Sequence, residues 1–182
     1  MKKFLRTTAV LIGVSLLLLG AGCGRSESSG KKTDTVAAQK TVRERFVLKN
    51  IYGKPYSWSQ FIGKPFMINF WATWCGPCRA EIPALKKLYA EYNPQGLEIV
   101  AISVDDIRTE TQVVPFIDKF QIPWLVLYGD NRVTMEFNPG PSIPVTLIFD
   151  AKGNEVGRLV GAQPESVFRQ ELEKLFPRQP QS

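Results

Sequence analysis

The chain has 182 residues, 44% of them hydrophobic, and a formal net charge of +6. This length allows one domain of ordinary size with a real hydrophobic core. Leaving out Lys2, Lys3 and Arg6, which lie in a leader, reduces the net charge to +3. So small an excess argues against a nucleic-acid-binding surface. With three cysteines and no histidine, the chain also lacks the four Cys or His ligands of a structural zinc site, and we expect no metal.

Residues 1–22 have the pattern of a secretory signal peptide, with a basic start, the apolar run Ala9–Leu19 and then small residues. The apolar run is too short to predict a membrane span. Leu19–Cys23 resembles a bacterial lipobox, in which Cys23 would be lipidated after cleavage. Gly20 stands where that pattern has an aliphatic residue, so ordinary cleavage and an uncleaved anchor remain alternatives. We expect export, with lipidation at Cys23.

Residues 23–45 are predicted to be a lipidated cysteine and a flexible tether, because they are rich in Ser, Lys and Thr and poor in apolar residues. The folded domain is predicted over residues 46–176, with a disordered tail at 177–182. Two strand-like pieces lie within residues 46–61, on either side of a Gly- and Pro-containing turn, and indicate a hairpin.

The next stretch organises the rest of the domain. Pro65–Trp71 is an apolar run that predicts a buried strand. Cys75-Gly76-Pro77-Cys78 follows and opens a helix, since Pro77 suits a first helical turn. The apolar face of this helix is formed by residues at three- and four-residue steps, namely Ile82, Leu85, Leu88, Tyr89 and Tyr92.

A cysteine pair at the start of a helix predicts redox chemistry. The free N–H groups and partial positive charge of a helix N-terminus favour a thiolate, so Cys75 is the expected nucleophile. Cys78, one turn along, can attack the mixed disulfide that Cys75 forms. A purely structural disulfide is the competing interpretation, but a bridge across two residues closes too small a loop to stabilise the fold much.

The remaining pattern predicts alternating strands and helices. Thr109–Phe120 is predicted to be a helix capped by Thr109 and Gln112, although Pro115 favours a later start or a kink. A hairpin turn is expected at Asp150–Asn154. The other predicted strands are Leu97–Val104, Pro123–Tyr128, Val145–Phe149 and Glu155–Val160, and the other helices Arg132–Phe137 and Pro164–Phe176.

The sequence INFWATWCGPCRAEIPAL, residues 68–85, resembles the TlpA/ResA-like extracytoplasmic branch of the thioredoxin superfamily, and the resemblance runs over residues 46–176. It implies an α/β thioredoxin fold, with a central mixed β-sheet flanked by helices and an N-terminal β-hairpin extension. It also implies a protein-disulfide oxidoreductase that needs no cofactor beyond its redox-active Cys75–Cys78 disulfide.

The resemblance assigns further site residues. Pro144 would be the cis-proline that faces the cysteines, and the backbone of Ile143 would bind an extended substrate chain. Trp74, Gly76 and Pro77 would complete the substrate contact surface. A titratable Asp is usual six residues before the nucleophile, but Asn69 stands there. The resemblance therefore gives the task of accepting the Cys78 proton to Glu81, which shares a helix face with Cys78.

The resemblance also implies partners. These are client proteins with disulfides, for example apocytochrome c, and a membrane thiol-disulfide carrier as electron donor. We expect a monomer, tethered to a membrane through its lipid anchor on the extracytoplasmic side (the bacterial periplasm or outer face of the cell membrane). Two alternatives stay open. A thiol peroxidase would need a Thr three residues before its cysteine, where Ala72 stands, and a non-catalytic lipoprotein binding module would use the pair for no chemistry.

Overall fold

The computed structural model describes residues 47–176. The predicted signal peptide at 1–22, the lipidation site Cys23, the tether and the tail at 177–182 lie outside the described residues and stay predictions. Within the described range, no helix has the length and apolar character needed to cross a membrane.

A five-stranded mixed sheet forms the centre of the domain, with strand order β5-β4-β3-β6-β7. β3 pairs in parallel with β4 and antiparallel with β6, so it occupies the middle position. The sheet and its flanking helices confirm the predicted fold class. The strands are β1 (Val47–Lys49), β2 (Pro55–Ser57), β3 (Phe66–Trp71), β4 (Glu98–Ser103), β5 (Leu125–Tyr128), β6 (Val145–Phe149) and β7 (Glu155–Val160).

Four α-helices of the described range, residues 47–176, cover the sheet, and the side chains of β3 show how the layers pack. Every residue of β3 is buried, and its side chains alternate between the two faces of the sheet. Met67 and Trp71 join the apolar cluster beneath α1, α2 and α4, whereas Phe66, Ile68 and Phe70 join the cluster beneath α3. The helices are α1 (Gly76–Tyr92), α2 (Val113–Phe120), α3 (Asn131–Phe137) and α4 (Glu165–Leu175).

The predicted N-terminal hairpin is confirmed. β1 and β2 pair antiparallel, and Asn50 bridges to Leu127, so the hairpin lies beside β5. The short 3-10 helix Trp58–Phe61 follows β2. Its Trp58 ring contacts the rings of Phe66, Phe137 and Phe149 at centroid distances of 4.9–5.2 Å. The hairpin segment therefore completes the core on the α3 side.

The predicted start of the helix at Thr109 is wrong. A 3-10 turn, Glu110–Gln112, comes first, and α2 begins at Val113. Thr109 makes no capping hydrogen bond there; its hydroxyl lies 3.5 Å from Asp106 instead. Pro115 now lies in the first turn of α2, where a missing N–H costs no helical hydrogen bond. Because α2 starts at Val113, Pro115 does not interrupt the hydrogen bonding of the helix, as it would in a helix that started at Thr109.

Several other boundaries shift by one or two residues. β5 begins at Leu125 rather than Pro123, since a proline has no N–H to donate to a ladder. α4 begins at Glu165, with Pro164 as its N-cap residue. The helix α1 continues through Pro83, which points outward as an exposed residue.

Candidate active site

The two cysteines lie at the carboxyl end of β3, where the chain turns into α1. Cys75 is the N-cap residue of α1, and Pro77 occupies its first turn. Cys75 and Cys78 form a disulfide with a Cα–Cα distance of 5.3 Å. The strand-to-helix placement predicted from the sequence is therefore confirmed, and the structure shows the oxidised state of the pair.

The sulfur of Cys75 lies in a setting that stabilises negative charge. The backbone N–H of Cys78 donates a hydrogen bond to this sulfur, with a donor–acceptor distance of 3.1 Å. The N-terminus of α1 adds its partial positive charge. Both effects favour a thiolate at Cys75 once the disulfide is reduced. In the oxidised state the two residues are equally inaccessible, with exposed fractions of 4% for Cys75 and 3% for Cys78.

The backbone just before β6, the strand that pairs with β3, faces the disulfide. The peptide bond between Ile143 and Pro144 is cis, as the resemblance implied. The carbonyl oxygen of Ile143 lies 3.7 Å from Sγ of Cys75. Val145, which follows, pairs with Phe70 of β3 in the antiparallel register. This pairing brings the start of β6 to the edge of the sheet where the cysteines lie.

Glu81 is buried under the same end of the sheet, one turn beyond Cys78. Its exposed fraction is 3%. Its Oε1 accepts a hydrogen bond of 2.9 Å from Nδ2 of Asn69, which also donates to Oγ1 of Thr146. Its Oε2 has no hydrogen-bond partner among the described residues. Burial raises the pKa of Glu81 to about 7, against smaller lowering effects from Asn69 and the backbone amide of Gln163.

The structure places the predicted substrate-contact residues around the disulfide. Trp74 is exposed over 59% of its surface, and Gly76 and Pro77 are also exposed. Trp71, by contrast, is buried against Phe116, with ring centroids 4.8 Å apart. Exposed apolar surface next to a disulfide is suited to contact with a polypeptide.

The sequence analysis missed the residues that hold the loop between β3 and the cysteines in place. Asp105 follows β4 and accepts hydrogen bonds from the backbone N–H of Thr73, from the Thr73 hydroxyl and from the Ser103 hydroxyl. A detectable signal existed, because parallel β3 and β4 end at the same edge of the sheet. A carboxylate directly after β4 therefore had to lie near the residues that follow β3.

A second missed partner is Thr146. It lies opposite Asn69 in the register of β3 and β6, and both side chains point to the face that carries α1. Neither residue is near the other in sequence, so only the strand pairing reveals the contact. Among residues 47–176, no three His, Cys, Asp or Glu side chains are grouped so as to hold a metal ion.

Comparisons with known proteins agree with this geometry. The family model described as AhpC/TSA matches residues 40–166. A thiol-disulfide oxidoreductase ResA of Geobacillus thermodenitrificans is 31% identical over 170 residues, which cover 92% of this chain and 96% of that protein. A ResA of Geobacillus kaustophilus is 30% identical over 164 residues, covering 89% of this chain and 92% of that one.

Solved structures show the same fold. A thiol:disulfide interchange protein of the thioredoxin family from Chlorobium tepidum TLS superimposes with a TM-score of 0.63 at 27% identity, covering 71% of this chain and 92% of that one. StoA from Bacillus subtilis superimposes with a TM-score of 0.60 at 21% identity, covering 70% of this chain and 96% of that one.

Proposed function

This chain belongs to the AhpC/TSA family of the thioredoxin superfamily and is a thiol-disulfide oxidoreductase, and on that premise we propose that it reduces disulfides of exported client proteins. The observation that carries the proposal is the position of Cys75. Cys75 is the N-cap residue of α1, and its sulfur accepts a hydrogen bond from the backbone N–H of Cys78. The same sulfur lies next to the carbonyl oxygen of Ile143. An activated thiol is thereby combined with backbone groups that an extended client chain can bind.

The proposed reaction starts from the reduced pair. The Cys75 thiolate attacks one sulfur of the client disulfide, so that a mixed disulfide forms and one client thiolate leaves. Cys78 then attacks Sγ of Cys75, which breaks the mixed disulfide and releases the second client thiolate. The client gains two electrons, and the enzyme ends with the Cys75–Cys78 disulfide that the structure contains.

Glu81 is the proposed acceptor of the Cys78 proton during the second step. Its pKa of about 7 means that it can take up and release a proton near neutral pH. Asn69 cannot titrate, but its hydrogen bond holds one carboxylate oxygen of Glu81 in place, and the other oxygen accepts no hydrogen bond from residues 47–176. Glu81 therefore combines two properties that a proton acceptor near Cys75 and Cys78 needs, namely burial and a pKa near neutral pH.

The location and partners are also part of the proposal. A lipidated Cys23 would hold the domain at the extracytoplasmic face of a membrane, where a membrane thiol-disulfide carrier would return the pair to the reduced state. Apocytochrome c is the proposed example of a client. Support for these three points comes from the leader and lipobox pattern of residues 1–23 and from the resemblance to the TlpA/ResA-like branch.

The test is the reduction of insulin disulfides by the reduced protein, followed by trapping of clients with the Cys78→Ser variant. We expect turnover with the unchanged protein and accumulation of mixed disulfides with the variant. Cys75→Ser is the control and should do neither. A protein that leaves insulin oxidised would refute the enzymatic function and would favour the binding-module alternative.

A thiol peroxidase is a weaker candidate. Ala72, fully buried, occupies the position where that chemistry requires a threonine hydroxyl, and the hydroxyl of neighbouring Thr73 is bound to Asp105. Consumption of hydrogen peroxide by the reduced protein at a rate comparable to disulfide reduction would support it.

A further inference from the structure

An open groove of about 350 Å³ lies beside the active-site disulfide, between the start of α1 and the helix α2. Its size falls in the range of surfaces that bind a few residues of a peptide or a small molecule. We call it the α1–α2 groove. Its lining includes Thr73, Arg79, Phe116, Lys119 and Phe120.

The groove adjoins the reacting sulfurs. Thr73 lies two residues before Cys75, and its hydrogen bonds to Asp105 fix the loop between them. Arg79 lies one residue after Cys78, and its guanidinium group bends back toward the start of α1. A Cβ placed on Gly76 would lie 3.8 Å from Nη2 of Arg79. A polypeptide whose disulfide reaches Cys75 can therefore continue into this groove.

The charged residues that line the groove are positively charged. Arg79 and Lys119 line the groove as exposed cations. Lys86 adds a third cation at the end of α2, where its Nζ donates to the carbonyl oxygen of Phe120. Of the residues that the structure describes, none that lines the groove is acidic. Asp105, whose carboxylate accepts three hydrogen bonds from Thr73 and Ser103, is not one of the residues that line the groove.

The floor of the groove is aromatic. The rings of Phe116 and Phe120 lie 4.4 Å apart, and Phe116 rests in turn on Trp71. The Nζ of Lys119 lies 5.8 Å from the centre of the Phe120 ring. An aromatic floor with a cationic rim is complementary to a peptide that carries carboxylates and an occasional apolar side chain.

We propose that the α1–α2 groove binds the segment of the client polypeptide next to its disulfide, and that it favours clients with Asp or Glu in that segment. The inference rests on the proposed reduction of client disulfides and specifies which clients react fastest. Arg79 and Lys119 act as specificity residues through charge. Complementary charge chiefly raises the rate of association and makes it sensitive to salt.

The experiment uses synthetic peptides with one internal disulfide, flanked by two Glu, two Gln or two Lys residues. The second-order rate of reduction by the reduced protein is measured at low and high ionic strength, about 0.02 and 0.5 M. We expect the Glu peptide to react about ten-fold faster than the Lys peptide at low salt, and the difference to shrink at high salt. Lys119→Glu should remove or reverse the preference.

Lys64→Glu is the matched control, because it makes the same change in net charge just before the amino end of β3, away from the disulfide. It should keep the preference for the Glu peptide. Equal rates for the three peptides, or an equal loss of preference in both variants, would overturn the inference while leaving the enzyme a disulfide reductase. Failure to reduce any peptide would instead refute the proposed function, and the inference with it.

Discussion

Nδ2 of Asn69 lies 2.9 Å from Oε1 of Glu81. The same amide nitrogen donates to Oγ1 of Thr146, so both of its hydrogens are in use. An amide donor lowers the pKa of a carboxyl group, yet the net pKa of Glu81 is raised, because the loss of water on burial outweighs the hydrogen bond. The carboxyl group is thus held in place without being fixed in its charged form.

Replacing Glu81 with Gln should slow the release of mixed disulfides. The amide keeps the size and a hydrogen-bond acceptor for Asn69 but cannot accept the Cys78 proton, so we expect a loss on the order of 100-fold in the resolution rate. Removal of the negative charge should also lower the apparent pKa of the cysteines. The measurement is a pH series of alkylation and disulfide-exchange rates.

Glu98→Gln provides the control for this series, because Glu98 lies at the opposite end of β4 from the site. Its profiles should coincide with those of the unchanged protein. If the Glu81→Gln profiles also coincide with them, the proton acceptor is a different group.

The raised pKa of Glu81 predicts how stability depends on pH. A carboxyl group whose pKa rises on folding from 4.5 to about 7 binds more protons in the folded state between those two values. The free energy of unfolding should therefore fall as the pH rises from about 4.5 to 7. In the Glu81→Gln variant, the free energy of unfolding should lack the part of this decline that is due to Glu81. At pH 8 the variant should therefore be more stable than the unchanged protein by up to about 3 kcal/mol.

Urea unfolding of the oxidised protein at pH 5 and at pH 8 checks this prediction. The two proteins should be closest in stability at the lower pH. A difference in unfolding free energy that does not change with pH would contradict the assigned ionisation of Glu81.

In the reduced protein, Cys75 should react with iodoacetamide faster than Cys78. Because the two residues are equally buried in the oxidised state, the expected difference comes from the helix N-terminus and the Cys78 amide, which stabilise the Cys75 thiolate. Mass spectrometry after short alkylation pulses identifies the modified cysteine. Equal labelling of both residues at every pH would contradict the assignment of Cys75 as nucleophile.

Cys23 should anchor the protein. We expect the mature chain to begin at a diacylglyceryl Cys23, and Cys23→Ser to leave the membrane fraction. Mass spectrometry of the purified N-terminus and fractionation of both proteins measure this. Cleavage at another position, or a free Cys23 thiol, would rule out the anchor, and the Cys78→Ser variant serves as a control that should remain with the membrane.

The sequence was sufficient for those parts of the fold that local pattern determines. The uninterrupted apolar run before Trp71 and the three- and four-residue steps from Ile82 onward identified β3 and α1 correctly. The predicted start of α2 at Thr109 was too early. Thr109 and Gln112 match a capping pattern, but a helix that starts at Val113 places Pro115 in its first turn, where a proline is tolerated. Local rules conflict at this point, and packing of Val113 and Phe116 against the core decides between them.

In the site, too, some residues could be predicted from local sequence, and others depend on contacts between distant segments. Cys75 and Cys78 could be identified from spacing and context, and Glu81 and Pro144 from the resemblance. The bond from Thr73 to Asp105 could have been expected from two parallel strands that end at the same edge of the sheet. The Asn69–Thr146 pair, by contrast, depends on the register of β3 and β6, which a single sequence does not reveal. The α1–α2 groove likewise joins residues about 40 positions apart, since Arg79 and Lys119 lie on helices that meet only after the sheet has formed.

The contact between Cys75 and Ile143 spans 68 positions of the chain. In a protein that crosses a membrane from its N-terminus, the two thiols emerge first and the Ile143 backbone follows. At a synthesis rate of about 5–20 residues per second, that delay lasts several seconds. If the chain is exported as proposed, the dithiol is present throughout this interval before the backbone that is proposed to orient a client. Selectivity for clients would then begin only when β6 joins β3.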